Sequence, residues 1–280
     1  MKIIEEKIFD EERAFYGEEN IECIECKFDG PRDGESAFKE ATNIIAKNCY
    51  FNLRYPFWHD ERVRIKDCTL TKNCRAAFWY SNNIKITNSK LHGIKALREC
   101  RDITIEYSDI ISPEFAWFSH NLEMIDSCAT GEYFAMRSLN LTLNRFKLKG
   151  KYSFQYIEDS VIENCDFDTK DAFWHAKNVI VKNSRIKGEY LAWYSENITF
   201  INCEIVGTQP LCYCKGLKLI NCSMINCDLS FEKSEVEASV TTNIDSVKNP
   251  TSGRIIAPSI GDIIDEYDTK CKIEVTECLV

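Results

Sequence analysis

No apolar run in this chain approaches the 18 or more residues of a membrane-spanning helix, and no run of basic residues occurs anywhere. The first absence points away from insertion in a bilayer. The second, with a net charge of −9 and a pI near 5.2, points away from nucleic acid and anionic lipid as partners. A secretory signal needs an apolar core of about 7–15 residues, and Glu5, Glu6 and Lys7 break one at once. The expected location is therefore the cytoplasm. Glycine-rich phosphate loops and metalloprotease helices are also missing, so no cofactor and no metal ion is expected.

What is present is repetition. Taking a Cys or Ser as anchor gives Cys26, Cys49, Cys68, Ser89, Ser108, Ser127, Phe146, Cys165, Ser184, Cys203 and Cys222. From Ser89 onward every step is 19 residues, and the earlier steps carry insertions near Pro31–Glu35 and Lys72–Cys74. Three and five residues before the anchor, and two after it, the columns are almost entirely apolar. The positions between them are mostly polar. Alternation with period two means short strands with one face in and one face out. Asn recurs six before and one before the anchor, and Gly four after it, where corners need left-handed backbone.

These features predict an all-β, single-stranded, right-handed parallel β-helix of the pectate-lyase-like kind, with about 11 rungs of about 19 residues. The regular part spans residues 1–227, and residues 228–280 form irregular C-terminal rungs and a cap of the same domain. The acidic segment Glu5–Arg13 is expected to cap the other end. The 15 cysteines would suggest disulfides in a secreted protein, but their place in one column marks them as reduced core thiols.

The unusual face lies nine and ten residues before the anchor. All five tryptophans stand in the ten-before column: Trp58, Trp79, Trp117, Trp174 and Trp193. The nine-before column holds His59, Tyr80, Glu99, Phe118, Arg137, Tyr156, His175, Tyr194 and Tyr213. Strict alternation places the tryptophans inside and the second column outside; a bend in the strand would reverse this. Polar exceptions cluster at Arg98, Glu99, Arg137, Gln155 and Tyr156. Together with Tyr80, Trp117, His175 and Tyr194 these are the candidate ligand-binding residues, for a glycan or another flat ligand. A packing ladder, or an interface between copies of the chain, accounts for the same pattern.

No catalytic residue is assigned. A lyase or hydrolase would need paired carboxylates, and Glu99 with Asp102, or Glu158 with Asp159, are the available pairs. The strings Arg64–Lys66 and Arg185–Lys187 resemble part of a polygalacturonase signature whose remaining strings are absent. Cys23-x-x-Cys26 and Cys212-x-Cys214 lie on strands whose geometry does not gather four zinc ligands.

Two features are specific beyond the rungs. One is the repeated Ala-Phe-Trp at Ala77–Trp79 and Ala172–Trp174. The other is the tail IDSVKNPTS, ending at Ser252 and continuing to SIGDII at Ser259–Ile264. Over essentially the whole chain these resemble an uncharacterised bacterial β-helix family, domain-of-unknown-function family 3737. The resemblance implies the fold and a bacterial origin, and no activity.

Overall fold

The computed structural model describes residues 1–30 and 34–276, in two compact units, Met1–Thr142 and the part from Leu143 onward. Each unit is a parallel β-solenoid, with no helix among the described residues.

In the first unit, strands Glu61–Lys66, Asn82–Thr87, Arg101–Glu106 and His120–Ile125 pair in parallel. They bring Val63, Ile84, Ile103 and Leu122 into one register position. In the second, Glu158–Glu163, Lys177–Lys182 and Glu196–Ile201 do the same with Ser160, Val179 and Ile198. Each six-residue strand alternates buried and outward residues, as its period-two sequence dictates. Each fully buried Ile or Val contributes about 1.5–3 kcal/mol, so the stacked columns are the main stabilising element. Bulk is traded between the columns eleven and twelve before the anchor, Ala77–Phe78 against Phe115–Ala116 and Phe134–Ala135, and all six residues are buried in the interior.

The anchor column does more than fill space. The Cys68 amide donates to Ser89 Oγ at 3.1 Å, the Ser89 amide to Ser108 Oγ at 3.1 Å and the Ser108 amide to Ser127 Oγ at 3.1 Å. In the second unit the Cys165 amide donates to Ser184 Oγ at 3.0 Å. At these turns the anchor side chain thus accepts the buried amide of the preceding turn. Anchor side chains also donate to earlier carbonyls, as Ser108 Oγ does to Glu106 O in its own turn at 2.8 Å and Cys203 Sγ to Val181 O of the preceding turn at 3.4 Å. Sulfur and oxygen interchange here because both accept and donate. Among the described residues every cysteine is a free thiol and only Cys128 is exposed. Burial pushes the Cys165 thiol up to about 11, which keeps it protonated.

Asparagine corners form ladders. Asn43, Asn83, Asn121 and Asn140 all have positive φ. Asn121 Nδ2 donates to Asp102 Oδ1 at 2.7 Å, and Asn140 Nδ2 to Asn121 Oδ1 at 2.8 Å. Asn tolerates left-handed backbone and donates its side-chain amide to the corner of the preceding turn, which is why it recurs.

The ends are more regular than the sequence pattern suggests. Lys2–Glu5 pairs with Ile21–Ile24, and Ile8–Phe9 with Lys27–Phe28, so the acidic N-terminal segment is itself a turn. In the tail, Glu235–Val240, Ser252–Ala257 and Lys270–Val275 extend the parallel sheet. These additions bring the count to about fourteen turns among the described residues, against eleven anchors. The tail turns advance by 17 and 18 residues, which breaks the 19-residue pattern without breaking the stack. Gly253 is required where it stands: at φ +103° a Cβ would collide with the Val236 carbonyl oxygen. Of the insertion at Pro31–Glu35, residues 31–33 lie outside the described residues.

Candidate functional site

The backbone at the aromatic columns does not alternate. His59, Tyr80, Glu99, Phe118 and Arg137 in the first unit, and Tyr156, His175, Tyr194 and Tyr213 in the second, all have φ near +55° to +62°. A left-handed residue at this position makes one of the corners of each turn, and that corner swings both columns outward. The second column faces solvent, as its polar tips require. The tryptophans are half-buried along the flank rather than inside, which corrects the expectation from parity.

In the first unit, Trp58 and Trp79 stack with centroids 5.9 Å apart, and His59 and Tyr80 lie at 4.8 Å. Lys39 Nζ caps the Trp58 ring at 4.5 Å. The next turn carries Arg98 in place of a tryptophan. Its guanidinium carbon sits 5.8 Å from the Trp79 centroid and 5.5 Å from that of Trp117. Such placement is favourable through the ring quadrupoles. Arg98 Nε also donates to Glu99 Oε1 at 3.4 Å.

Around these residues is an open groove of about 720 Å³, lined by His59, Tyr80, Asn82, Arg98, Glu99, Arg101, Phe118 and His120. Tyr80 is 36% exposed and Phe118 41%. Asn82, Arg101 and His120 stand in register on three adjacent strands. The groove therefore gathers Tyr80, Arg98 and Glu99 from the candidate list; Trp117 does not line it and touches it only through the Arg98 guanidinium. Arg137 is exposed in the same column of this unit but does not line the groove.

The second unit arranges its residues differently. Tyr156, His175, Tyr194 and Tyr213 stack at 4.8, 5.1 and 4.8 Å, with interplanar angles of 6°, 10° and 11°. Ring faces within this ladder are covered by their neighbours, and only edges and polar tips meet solvent. Burial and the nearby Lys177 ammonium hold His175 below the ordinary histidine value, so it is neutral at pH 7. Gln155 is only 8% exposed and its amide points to Asp171 O at 3.5 Å, so it belongs to the wall and not to the surface.

Behind His59 lies an anomaly. Asp60 is the acid in a column otherwise occupied by Ala41, Ser81, Cys100, Ser119 and Ser138, and it is 1% exposed. Its Oδ1 accepts the Ala41 amide at 2.9 Å, while Oδ2 has no partner among the described residues. Burial, with a smaller push from Glu40, raises its pKa well above the usual carboxylate range. The indole N–H groups of Trp58 and Trp79 are likewise buried without an acceptor.

The catalytic pair considered from sequence is not gathered. Glu99 opens on the aromatic groove, whereas Asp102 opens on a separate groove of about 790 Å³ over the outer face of the long strands. In the second unit, Asp159 Oδ1 accepts Asn178 Nδ2 at 2.9 Å as part of a corner ladder. Arg101, Asn82 and His120 carried no distinguishing signal in the sequence, because they stand seven before the anchor, two positions ahead of its first apolar column, among many polar residues. Asp60 did carry a signal, as the acid in a small-residue column.

Among known proteins, a family profile described as "Protein of unknown function (DUF3737)" matches residues 2–277. No curated protein matches the sequence. Among solved structures, PfbA, a surface adhesin of Streptococcus pneumoniae, is similar at 11% identity and TM-score 0.38, over 80% of this chain and 70% of its own. The A-module of the mannuronan C-5 epimerase AlgE4 of Azotobacter vinelandii is similar at 9% identity and TM-score 0.32, over 91% of this chain and 88% of its own. The catalytic domain of a GH87 α-1,3-glucanase, solved with nigerose, is similar at 12% identity and TM-score 0.24, over 91% and 53%.

Proposed function

The chain belongs to the DUF3737 family of unknown function, and we propose that it is a non-catalytic binding protein that holds a ring-shaped, carbohydrate-like ligand against its outward aromatic column. The observation that carries this reading is the first-unit groove. It combines partly exposed rings at Tyr80 and Phe118 with the polar side chains of Asn82, Arg101 and His120. Exposed rings beside convergent polar groups suit a ligand with one apolar face and hydroxyls at its rim. Turnover is the weaker reading because Glu99 and Asp102 open on different grooves. An acid and a base acting on one bond must share a site.

A glycan array with the wild-type chain, Tyr80→Ala, Phe118→Ala and Tyr156→Ala tests the reading. Wild type and Tyr156→Ala are expected to bind the same glycans without forming product, and the first two variants to lose at least tenfold in affinity. Absence of any bound glycan, equal binding by all variants, or product formation abolished in Glu99→Gln would contradict it.

A further inference from the structure

In the outward column of the first unit each turn presents one residue, and His59 and Tyr80 are in ring contact. The following turn presents Glu99 and no ring. That carboxylate lines the groove and accepts from Arg98 Nε at 3.4 Å, and the Arg98 guanidinium fills the same turn between Trp79 and Trp117. Space is left between Tyr80 and Phe118, two strand repeats apart, or about 9.6 Å.

A planar ring sandwiched at van der Waals contact needs about 7–8 Å between the flanking rings. The opening is wider by roughly the thickness that ring pucker adds. It therefore suits a sugar chair better than a flat aromatic base. Charge then selects within that class. The Glu99 carboxylate lines the groove with its charge paired by Arg98. Arg101 is exposed, lines the same groove, and makes no ion pair among the described residues. A guanidinium in that position receives a carboxylate through two parallel N–H donors.

We propose that the Glu99 turn is a one-ring slot for an acidic sugar, held between Tyr80 and Phe118 with its carboxylate on Arg101. This rests on the binding reading above and names its ligand class. Neutral rings enter the same slot but lose the Arg101 contact, and a ring residue placed at position 99 would complete the ladder and close it.

Calorimetric titration of the full chain with the trimers of galacturonate, glucuronate and mannuronate, each against its neutral hexose trimer, tests this. At least one acidic trimer is expected to bind ten or more times tighter than its neutral counterpart. Arg101→Gln should reduce that preference to near unity. Glu99→Tyr should abolish binding of both while circular dichroism stays native. Phe118→Leu, which keeps bulk and loses the ring face, should weaken both about tenfold and serves where Glu99→Tyr does not fold. Equal affinity for all acidic and neutral trimers, or full binding by Glu99→Tyr, overturns the slot. If binding is then still lost in Tyr80→Ala, the wider reading of the aromatic face survives. No binding of any trimer by the wild-type chain overturns both.

Discussion

The Trp117 indole N–H donates to the Tyr133 carbonyl oxygen, sixteen residues on, at 2.6 Å. Trp174 makes the same bond to Tyr190 and Trp193 to Gln209, both at 2.7 Å. Trp58 and Trp79, next to the Lys72–Cys74 insertion, do not. A tryptophan there must be justified by its ring alone, through stacking and the cations that cap it. Trp117→Phe is therefore expected to cost about 1 kcal/mol more than Trp79→Phe, since only the first breaks a made hydrogen bond. Urea unfolding of the two variants measures the difference, and equal losses would contradict the assignment.

Asp60 should set a pH dependence of stability. Its folded pKa is raised, so its contribution is fully present below the usual aspartate range and declines as pH rises toward its own raised value. Asp60→Ser restores the residue of neighbouring turns, where Ser81 Oγ both accepts the Asp60 amide and donates to Phe57 O. The variant should gain about 1–3 kcal/mol near pH 8 and less near pH 4. A difference between the two chains that stays flat across that range would count against a neutral, buried Asp60.

The anchor column makes a chemical prediction. Ser108→Cys keeps an acceptor for the Ser89 amide and should be nearly neutral. Ser108→Ala strands that amide and should cost about 1–3 kcal/mol. Equal stability of the two variants, by denaturant titration, would mean the column is filler alone.

Thiol accessibility gives another check. Brief alkylation of the native chain at pH 8 should modify Cys128 and spare Cys100 and Cys165, which are buried and held protonated, with pKa values pushed up to about 12 and about 11. Mass spectrometry of the digest reads this directly. Rapid labelling of Cys165 would contradict its place in the core.

Much of this was legible in the sequence. Val63, Ile84 and Ile103 announce a buried column by spacing, and Asn121 and Asn140 announce a corner. The tryptophan column was misplaced because alternation assumes extended backbone, and Tyr80 and Phe118 are left-handed. Those residue types carry no sequence signal for positive φ, unlike Asn or Gly. The tail was legible only as an interruption, because its turns are shorter by one or two residues. Of the candidate site, Tyr80, Arg98 and Glu99 share one groove. Gln155 turned inward, and Tyr156, His175 and Tyr194 offer ring edges. Arg101 was missed because an outward arginine on a strand resembles any solvated residue until its lack of an ion pair is seen.

The most direct measurement is diffraction from crystals of the full chain grown with an acidic trisaccharide at saturating concentration. The account predicts one sugar ring between Tyr80 and Phe118, its carboxylate on Arg101 and Glu99 still turned to Arg98. A sugar bound on the Asp102 groove instead, or a Glu99 turn that stays empty beside a saturating ligand, would contradict it.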